Sequence, residues 1–251
     1  MTERITVAVL GAAGRMGSQA VTAIEQAPDL QLVAALGSGD SLEELIEAAP
    51  EVVVDLTVPK ATEDNVAFAV DHGMHAVVGT TGWDAAKLSA LRERLVAHPE
   101  LGVLVAPNFA IGAVLAERFA AVAARYFDSA EVVELHHPDK LDAPSDTARH
   151  TAEAIAAARE QAGRGPVPDA TASDPDGARG AVVDGIHVHA VRLRGLVAHE
   201  EILLGDPGQQ LTIRHDSFDR ASFMPGVLLG IRKVREVPGL THGLDGFLDL
   251  D

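Results

Sequence analysis

The sequence predicts an α/β protein whose first part is a doubly wound domain built around a parallel sheet. In about the first hundred residues, short β-branched runs alternate with alanine-rich amphipathic stretches. The β-branched runs are apolar almost throughout, as expected for parallel strands that are buried on both faces. Strand–helix alternation of this kind favours a parallel sheet with right-handed crossovers.

In this first part, short apolar runs predict strands, and stretches with apolar residues at helical spacing predict helices. The predicted strands are Ile5–Leu10, Leu32–Leu36, Val52–Leu56, Ala76–Val78 and Val103–Val105. The predicted helices between them are Arg15–Gln26, Ser41–Ala48, Ala61–His72 and Ala85–His98. We find no internal repeat and no heptad pattern.

The pattern changes after Pro107, where longer elements begin. The predicted elements here are helices at Ile111–Phe127, Asp146–Gly163 and Asp219–Val234, with a strand at Ala130–Leu135. Three further runs, separated by glycine-containing turns, predict a meander in a second sheet: Ile186–Leu193, Val197–Leu204 and Gln209–His215. The stretch Gly163–Gly180, rich in Pro, Gly and Asp, predicts an exposed loop. The residues after Val234 are short and mixed.

Composition excludes several classes of protein. With 251 residues and 47% hydrophobic residues, the chain can form one large or two small domains with an ample core, so intrinsic disorder is excluded. A net charge of −17 argues against nucleic-acid and membrane partners. The absence of cysteine excludes disulfides, thiolate metal sites and thiol catalysis. No apolar run approaches the ~20 residues of a membrane span, and the first residues lead into a strand, so we expect a cytoplasmic protein.

A glycine-rich turn, Gly11-Ala-Ala-Gly14-Arg15-Met16-Gly17, joins the first strand to the first helix. Glycines let the backbone approach a pyrophosphate, and the first N–H groups of a helix point at its charge. The spacing GxxGxxG meets the dinucleotide fingerprint GxGxxG only loosely, so a purely structural turn remains an alternative. Its position at the first strand–helix junction favours phosphate binding.

Three other strand ends bear on a cofactor. Gly37 occupies the position after the second strand where an acid selects NAD and an arginine selects NADP, so the choice stays open. Asp40 is interpreted as an acid at a helix N-terminus. The loops Gly79–Gly82 and Ala106–Phe109 follow two further strands, so they are expected to flank a bound nicotinamide. Ordinary turn chemistry is the alternative for both loops.

The densest polar segment of the chain runs from Glu134 to Thr147. Histidine suits proton transfer near neutral pH, and a lysine supplies positive charge or an acid for an anionic substrate. His136 and His137 are adjacent on an extended chain, so they face opposite ways and are expected to have different roles. Ser145 stands where a helix N-cap is needed, and the following N–H groups suit a carboxylate.

Two alternatives compete for this polar segment. The histidines and Lys140 could be solvated surface groups. Glu134, His136, His137 and Asp139 could instead be metal ligands. We expect no metal, because adjacent side chains on an extended chain diverge and no separate His or Asp cluster completes such a site.

Together, five segments resemble the 4-hydroxy-tetrahydrodipicolinate reductase (dihydrodipicolinate reductase) family. They are GAAGRMG at 11–17, VVGTTGW at 77–83, APNFAIG at 106–112, ELHHPDKLDAPSDTA at 134–148 and RLRGLVAHE at 192–200. The His-His-x-x-Lys-x-Asp-Ala-Pro-Ser block is highly specific to this family, whereas the other segments contribute mainly by their order. The resemblance runs along the whole chain.

The resemblance implies a Rossmann-like dinucleotide-binding domain formed by residues 1–107 and 216–251. An inserted α+β domain, residues 108–215, would bind the substrate and build a homotetramer. The implied reaction is hydride transfer from NADH or NADPH to a cyclic imine dicarboxylate in lysine and diaminopimelate biosynthesis. No metal is implied.

The resemblance also implies roles for particular residues. His136 would be the proton donor or acceptor and Lys140 a second proton donor. The substrate would be bound by His137, Asp146 and Thr147. The implied cofactor contacts are Gly11, Ala12, Ala13, Gly14, Arg15, Met16, Gly79, Thr80, Thr81, Ala106, Pro107, Asn108 and Phe109.

This chain departs from the family pattern at two positions. Gly37 replaces the acid that many NADH-preferring members carry, and the family's Ser-Gly-Thr is Ser145-Asp146-Thr147 here. Asp146 places negative charge where a carboxylate would bind. Two alternatives therefore remain: another nicotinamide-dependent imine or amino-acid dehydrogenase on the same scaffold, or a dinucleotide-binding protein whose activity is impaired by Asp146.

Overall fold

The computed structural model describes residues 4–250 and divides into two compact units. The first unit comprises the chain up to Ile111 and from Arg220 onward, and the second comprises Gly112–Asp219. The sequence predicted domain boundaries after residues 107 and 215. In the structure, the chain passes from one unit to the other after residues 111 and 219. None of the helices in residues 4–250 is long and apolar enough to cross a membrane.

The first unit is a six-stranded parallel sheet with helices between its strands. The strands are β1 (Ile5–Leu10), β2 (Leu30–Leu36), β3 (Val52–Asp55), β4 (His75–Val78), β5 (Gly102–Val105) and β11 (Gly239–His242). The helices are α1 (Gly17–Gln26), α2 (Glu44–Ala48), α3 (Thr62–Asp71), α4 (Ala85–Leu95) and α7 (Met224–Lys233). The strand order β11-β5-β4-β3-β1-β2 reverses direction between β3 and β1, which opens a crevice at their carboxyl ends. The predicted fold class is confirmed.

Two predictions in this unit need correction. No strand was predicted after Val234, yet β11 pairs in parallel with β5 at the edge of the sheet. Its Gly-Leu-Thr-His sequence is short and half-exposed, so it lacks the continuous apolar run of a buried strand. The predicted helix Asp219–Val234 begins instead as a 3₁₀ turn at Arg220–Phe223, followed by α7.

The second unit is a five-stranded sheet covered on one face by two helices. Its strands are β6 (Ser129–His136), β7 (Ala181–Val183), β8 (Ile186–Arg192), β9 (Ala198–Asp206) and β10 (Gln209–Ser217). Its helices are α5 (Ile111–Ala124) and α6 (Asp146–Gln161). Helix and sheet approach closely because the contacting residues are mostly small. They include Ala116, Ala120, Ala124, Ala148, Ala152, Ala130, Val132 and Val188.

The predicted three-strand meander is wrong. The order is β10-β9-β6-β8-β7, so β6 lies between β8 and β9, parallel to the first and antiparallel to the second. Glycine turns mark where strands end, but they do not specify pairing with a distant strand such as β6. Strand β7 was also missed. It forms a hairpin with β8 through Asp184-Gly185, where both residues have positive φ, as the Asp-Gly hairpin turn requires.

Candidate active site

The glycine-rich turn after β1 packs the backbone closely against neighbouring strands. Gly11 has φ +78°, and a Cβ there would lie 2.5 Å from the carbonyl oxygen of Leu56. A Cβ at Gly17 would collide with the carbonyl oxygen of Gly11. Both positions therefore require glycine. Helix α1 begins at Gly17, two residues later than predicted, so residues 11–16 form the turn itself.

Hydrogen bonds fix one side of this turn and leave the other side available. The N–H groups of Gly11 and Ala12 donate to the carbonyl oxygen of Leu36, at 2.8 and 3.0 Å. Within residues 4–250, the N–H groups of Arg15 and Met16 have no hydrogen-bond partner. Unpaired N–H groups before a helix N-terminus form a natural anion site.

A cavity of about 450 Å³ opens at the carboxyl edge of this sheet. Its lining residues are Arg15, Met16, Leu56, Thr57, Pro59, Gly79, Thr80, Thr81, Pro107, Asn108, Phe109 and Phe223. Eight of these are predicted cofactor contacts. The other predicted contacts, Gly11, Ala12, Ala13, Gly14 and Ala106, do not line the cavity.

The loop after β3 was missed as part of this site. Asp55, only 1% exposed, accepts from the Thr57 hydroxyl (2.5 Å) and N–H (2.9 Å). It also accepts from the Thr80 hydroxyl at 3.1 Å, so this one carboxylate joins the loops after β3 and β4. The sequence did contain a signal, because the predicted strand Val52–Leu56 ends at the same sheet edge as its neighbours.

The loop after β2 does not match the interpretation of Asp40 as an acid at a helix N-terminus. Asp40 is not in the first turn of a helix, since α2 begins only at Glu44. Its Oδ2 instead accepts a hydrogen bond from the Gly37 N–H at 2.7 Å. A carboxylate therefore stands beside Gly37 although no acid follows the strand directly.

In the second unit, the catalytic candidates gather around a buried carboxylate. Glu134 is fully buried, and its Oε2 lies 2.5 Å from His136 Nδ1. Arg192 donates to both of its oxygens, at 2.7 and 2.8 Å, and the Ser145 N–H donates at 3.1 Å. Burial raises the pKa of Glu134, but the hydrogen bonds from His136 and Arg192 outweigh it and lower the pKa to about 2. Glu134 is therefore a carboxylate at neutral pH.

This carboxylate sets the orientation of His136. Because Glu134 accepts at Nδ1, the proton sits on that nitrogen and Nε2 is the atom that can give or take a proton. His136 ends β6, and its side chain is 14% exposed. The position of Glu134 was predictable, because a period of two places it on the inner face with Ala130 and Val132. An acid at such a position needs a cation.

Lys140 lies on the turn that follows β6. Its N–H donates to the His137 carbonyl oxygen at 3.3 Å, and its Nζ donates to Asp142 Oδ1 at 2.8 Å. Partial burial alone would raise the pKa of Asp142. The hydrogen bond from Lys140 outweighs this effect, so the pKa lies below its ordinary value. Arg192 also reaches this turn, donating to the Asp142 carbonyl oxygen at 2.7 Å. The structure thus links the Lys140 turn to Glu134 through Arg192.

Helix α6 begins as predicted. Ser145 is its N-cap, and the Ser145 hydroxyl accepts from the Ala148 N–H at 3.2 Å. Asp146 is exposed at the first helical position, and Thr147 is partly buried beside it. Within residues 4–250, no group of three or more His, Cys, Asp or Glu side chains is close enough to hold a metal ion.

The first unit fits a dinucleotide. The turn before α1 offers N–H groups to phosphate, and the cavity offers apolar and amide groups to a nicotinamide ring. A Cβ at Gly79 would lie 2.7 Å from Leu56 Cδ2 and 2.8 Å from Phe109 Cε2, so only glycine keeps both side chains at the cavity wall. Together with the histidine–lysine segment, these features define a nicotinamide-dependent reductase.

Comparisons with known proteins identify the family. The models described as dihydrodipicolinate reductase, N-terminus, and dihydrodipicolinate reductase, C-terminus, match residues 5–109 and 112–248. The 4-hydroxy-tetrahydrodipicolinate reductase of Streptomyces coelicolor is 60% identical over 248 residues, 99% of each chain. The structure of dipicolinate-bound dihydrodipicolinate reductase from Paenisporosarcina sp. TG-14 has a TM-score of 0.86 and 39% identity, covering 98% of this chain and 100% of that one. This chain belongs to the dihydrodipicolinate reductase family, and the predicted resemblance is confirmed.

Proposed function

We propose that this chain reduces 4-hydroxy-tetrahydrodipicolinate to tetrahydrodipicolinate, with NADH or NADPH as the hydride donor and with the 4-hydroxyl leaving as water, in lysine and diaminopimelate biosynthesis. The observation that carries the proposal is the buried Glu134 holding His136 at 2.5 Å, on the segment that also bears Lys140. The names of the relatives and the dipicolinate bound to the similar solved structure support this substrate. Following the absorbance of NADH and NADPH with enzymatically generated substrate tests it.

When bound, the reduced nicotinamide supplies the hydride. His136, oriented by Glu134, donates a proton through Nε2, and Lys140 acts as the second proton donor. His137 and Lys140 place donors near a dianionic substrate, in a chain that is otherwise strongly acidic. The N–H groups at the start of α6 and the Thr147 hydroxyl bind one substrate carboxylate.

The two alternatives predict different outcomes in the same assay. A dehydrogenase for another imine or amino acid would leave this substrate unchanged but oxidise NADH or NADPH with a different one. A dinucleotide-binding protein impaired by Asp146 would bind the cofactor but would reduce neither this substrate nor another imine. The Glu134–His136 pair favours the reductase, because cofactor binding alone needs no oriented histidine.

Replacing Asp146 with glycine is expected to raise kcat/KM, mainly by lowering KM. At the first position of α6 its carboxylate competes with a substrate carboxylate for the same N–H groups. The melting temperature should stay the same or fall slightly, because an acid at a helix start contributes about 0.3–1 kcal/mol. Steady-state kinetics and thermal unfolding test this. An unchanged KM would show that the exposed side chain stays clear of the substrate.

The chain is expected to use both NADH and NADPH, with kcat/KM values within roughly tenfold of each other. The reason is that neither an acid nor an arginine occupies position 37. Gly37→Asp should shift the preference toward NADH by repelling a 2′-phosphate. Its Cβ would meet only Asp40 Oδ2, at 3.6 Å, so the backbone can accept it. The ratio of kcat/KM for the two cofactors measures the shift. A gain for NADPH would contradict the placement of this strand end.

We propose a homotetramer built through the second unit, in the cytoplasm. The face of its sheet opposite α5 and α6 is partly exposed and carries Val182 and Val191, at 61% and 36% exposure. A partner subunit would bury this face. Light scattering after size-exclusion chromatography should give four times the chain mass.

A further inference from the structure

Three polar side chains form a row across the second sheet. Glu200 on β9 pairs in register with Glu134 on β6 and with His215 on β10. Residues directly opposite each other in antiparallel strands point to the same face, which here is the face covered by α5 and α6. Glu200 is 5% exposed, and the ring of His215 lies against Gly112 of α5. Glu134 and Glu200 are therefore enclosed between sheet and helices, and His215 is half-buried at the end of the row.

The two acids of this row have very different partners. Glu134 has Arg192, His136 and a backbone N–H. Glu200 accepts a single hydrogen bond, from the Thr151 hydroxyl of α6 at 3.1 Å. Its Oε1 is buried without a hydrogen-bond partner anywhere in residues 4–250. An ionised carboxylate in this position would be poorly solvated.

The charges facing Glu200 from each neighbouring element also disfavour ionisation. Glu134 faces it from β6 and Glu117 from α5, and both raise its pKa. On β10, burial lowers the pKa of the His215 ring, which disfavours a compensating positive charge there. Burial is the largest influence and, despite the Thr151 hydrogen bond, raises the pKa of Glu200 to about 7.

We propose that Glu200 is a positioning residue for proton donation: it is uncharged at low pH, and its ionisation adds a second negative charge beside Glu134 that acts on His136. With Glu200 neutral, Glu134 carries the only negative charge of the row and fixes the proton on His136 Nδ1. When Glu200 loses its proton to solvent, a second negative charge forms on the residue diagonally across from His136, a position about 7–8 Å away along the sheet. That charge attracts the positive charge that the ring of His136 carries when it acts as the proton donor. The proposal rests on the donor role of His136 proposed above.

The variant Glu200→Gln separates this role from a purely structural one. Glutamine keeps the shape and can still accept from Thr151, but it cannot ionise. Below pH 6 its kcat should stay within about twofold of wild type, whereas the basic limb of kcat should move to lower pH by roughly half a unit or more. The exposed Glu153 on α6 offers a matched control, and Glu153→Gln should leave the profile unchanged.

Thermal unfolding gives a readout that does not depend on the role of His136. A carboxyl whose pKa is raised on folding loses its stabilising contribution as pH rises from 4.5 to about 7. The melting temperature of Glu200→Gln relative to that of wild type should therefore rise with pH over that range. Above about pH 7 the difference should become constant. A difference that stays flat with pH, or an unshifted kinetic profile, would overturn the proposal. If Glu200→Gln fails to fold, Thr151→Val provides the test, because it removes the hydrogen bond that lowers this pKa. It should extend the loss of stability to higher pH and move the basic limb of kcat to lower pH.

Discussion

Replacing His136 with glutamine is expected to lower kcat by roughly 10²–10⁴-fold, the usual contribution of a positioned acid. Glutamine can still bond to Glu134 but cannot deliver a proton at neutral pH. Dissociation constants for NADH and NADPH should barely change, because the residues lining the cofactor cavity all belong to the first unit. Stopped-flow or steady-state absorbance gives kcat, and fluorescence titration gives the dissociation constants.

Two further variants complete this experiment. Lys140→Ala should also lower kcat by roughly 10²–10⁴-fold, since it removes the second donor. His150→Gln is the matched control, because His150 is exposed on α6 and contacts only Glu153 among the charged groups described. Normal turnover in the His136 or Lys140 variant would refute the assigned roles.

Glu134→Gln is expected to destabilise the folded chain by about 3–5 kcal/mol, the usual effect of removing one partner from a buried ion pair. Arg192 and His136 would then face an uncharged amide in a buried site. Urea unfolding measures the loss. Glu131→Gln is the control on the same strand: Glu131 faces the other side, is 29% exposed, and its pairs with Arg179 and His189 should contribute about 1 kcal/mol or less.

The same variant should change how stability depends on pH. The pKa of Glu134 is about 2 in the folded chain against an ordinary 4.5, so its contribution is complete above pH 4.5 and is lost as pH falls toward 2. That difference corresponds to about 3 kcal/mol. Glu134→Gln should lack this acid-dependent step. A variant that follows the wild-type curve between these pH values would show that Glu134 is not the group responsible.

The strands of the first sheet could be predicted because burial on both faces leaves a continuous apolar run, as in Val52–Asp55. Pairing between distant strands could not. The place of β6 between β8 and β9 depends on contacts that no local turn encodes. The edge strand β11 was not predicted for another reason: its residues are partly exposed and do not form a run of apolar side chains.

The site divides in the same way. The glycine turn and the His136–Lys140 segment are contiguous in sequence, so chemistry and spacing indicated them directly. Arg192 comes from a strand far along the chain, and only pairing of β8 with β6 brings its guanidinium to Glu134. Asp55 was missed because its role is to tie two loops together, which becomes visible only when both strand ends are adjacent.

The pairing of β11 with β5 has a consequence for how the chain is made. The whole second unit is encoded between these two neighbouring strands, so it leaves the ribosome complete while the first sheet still lacks its outer strand. Closing the first unit therefore waits until β11 has been translated, and it depends on a contact of very long sequence separation, which is intrinsically slow. During that interval β5 presents an unpaired edge, the kind of surface that nascent chains shield with chaperones.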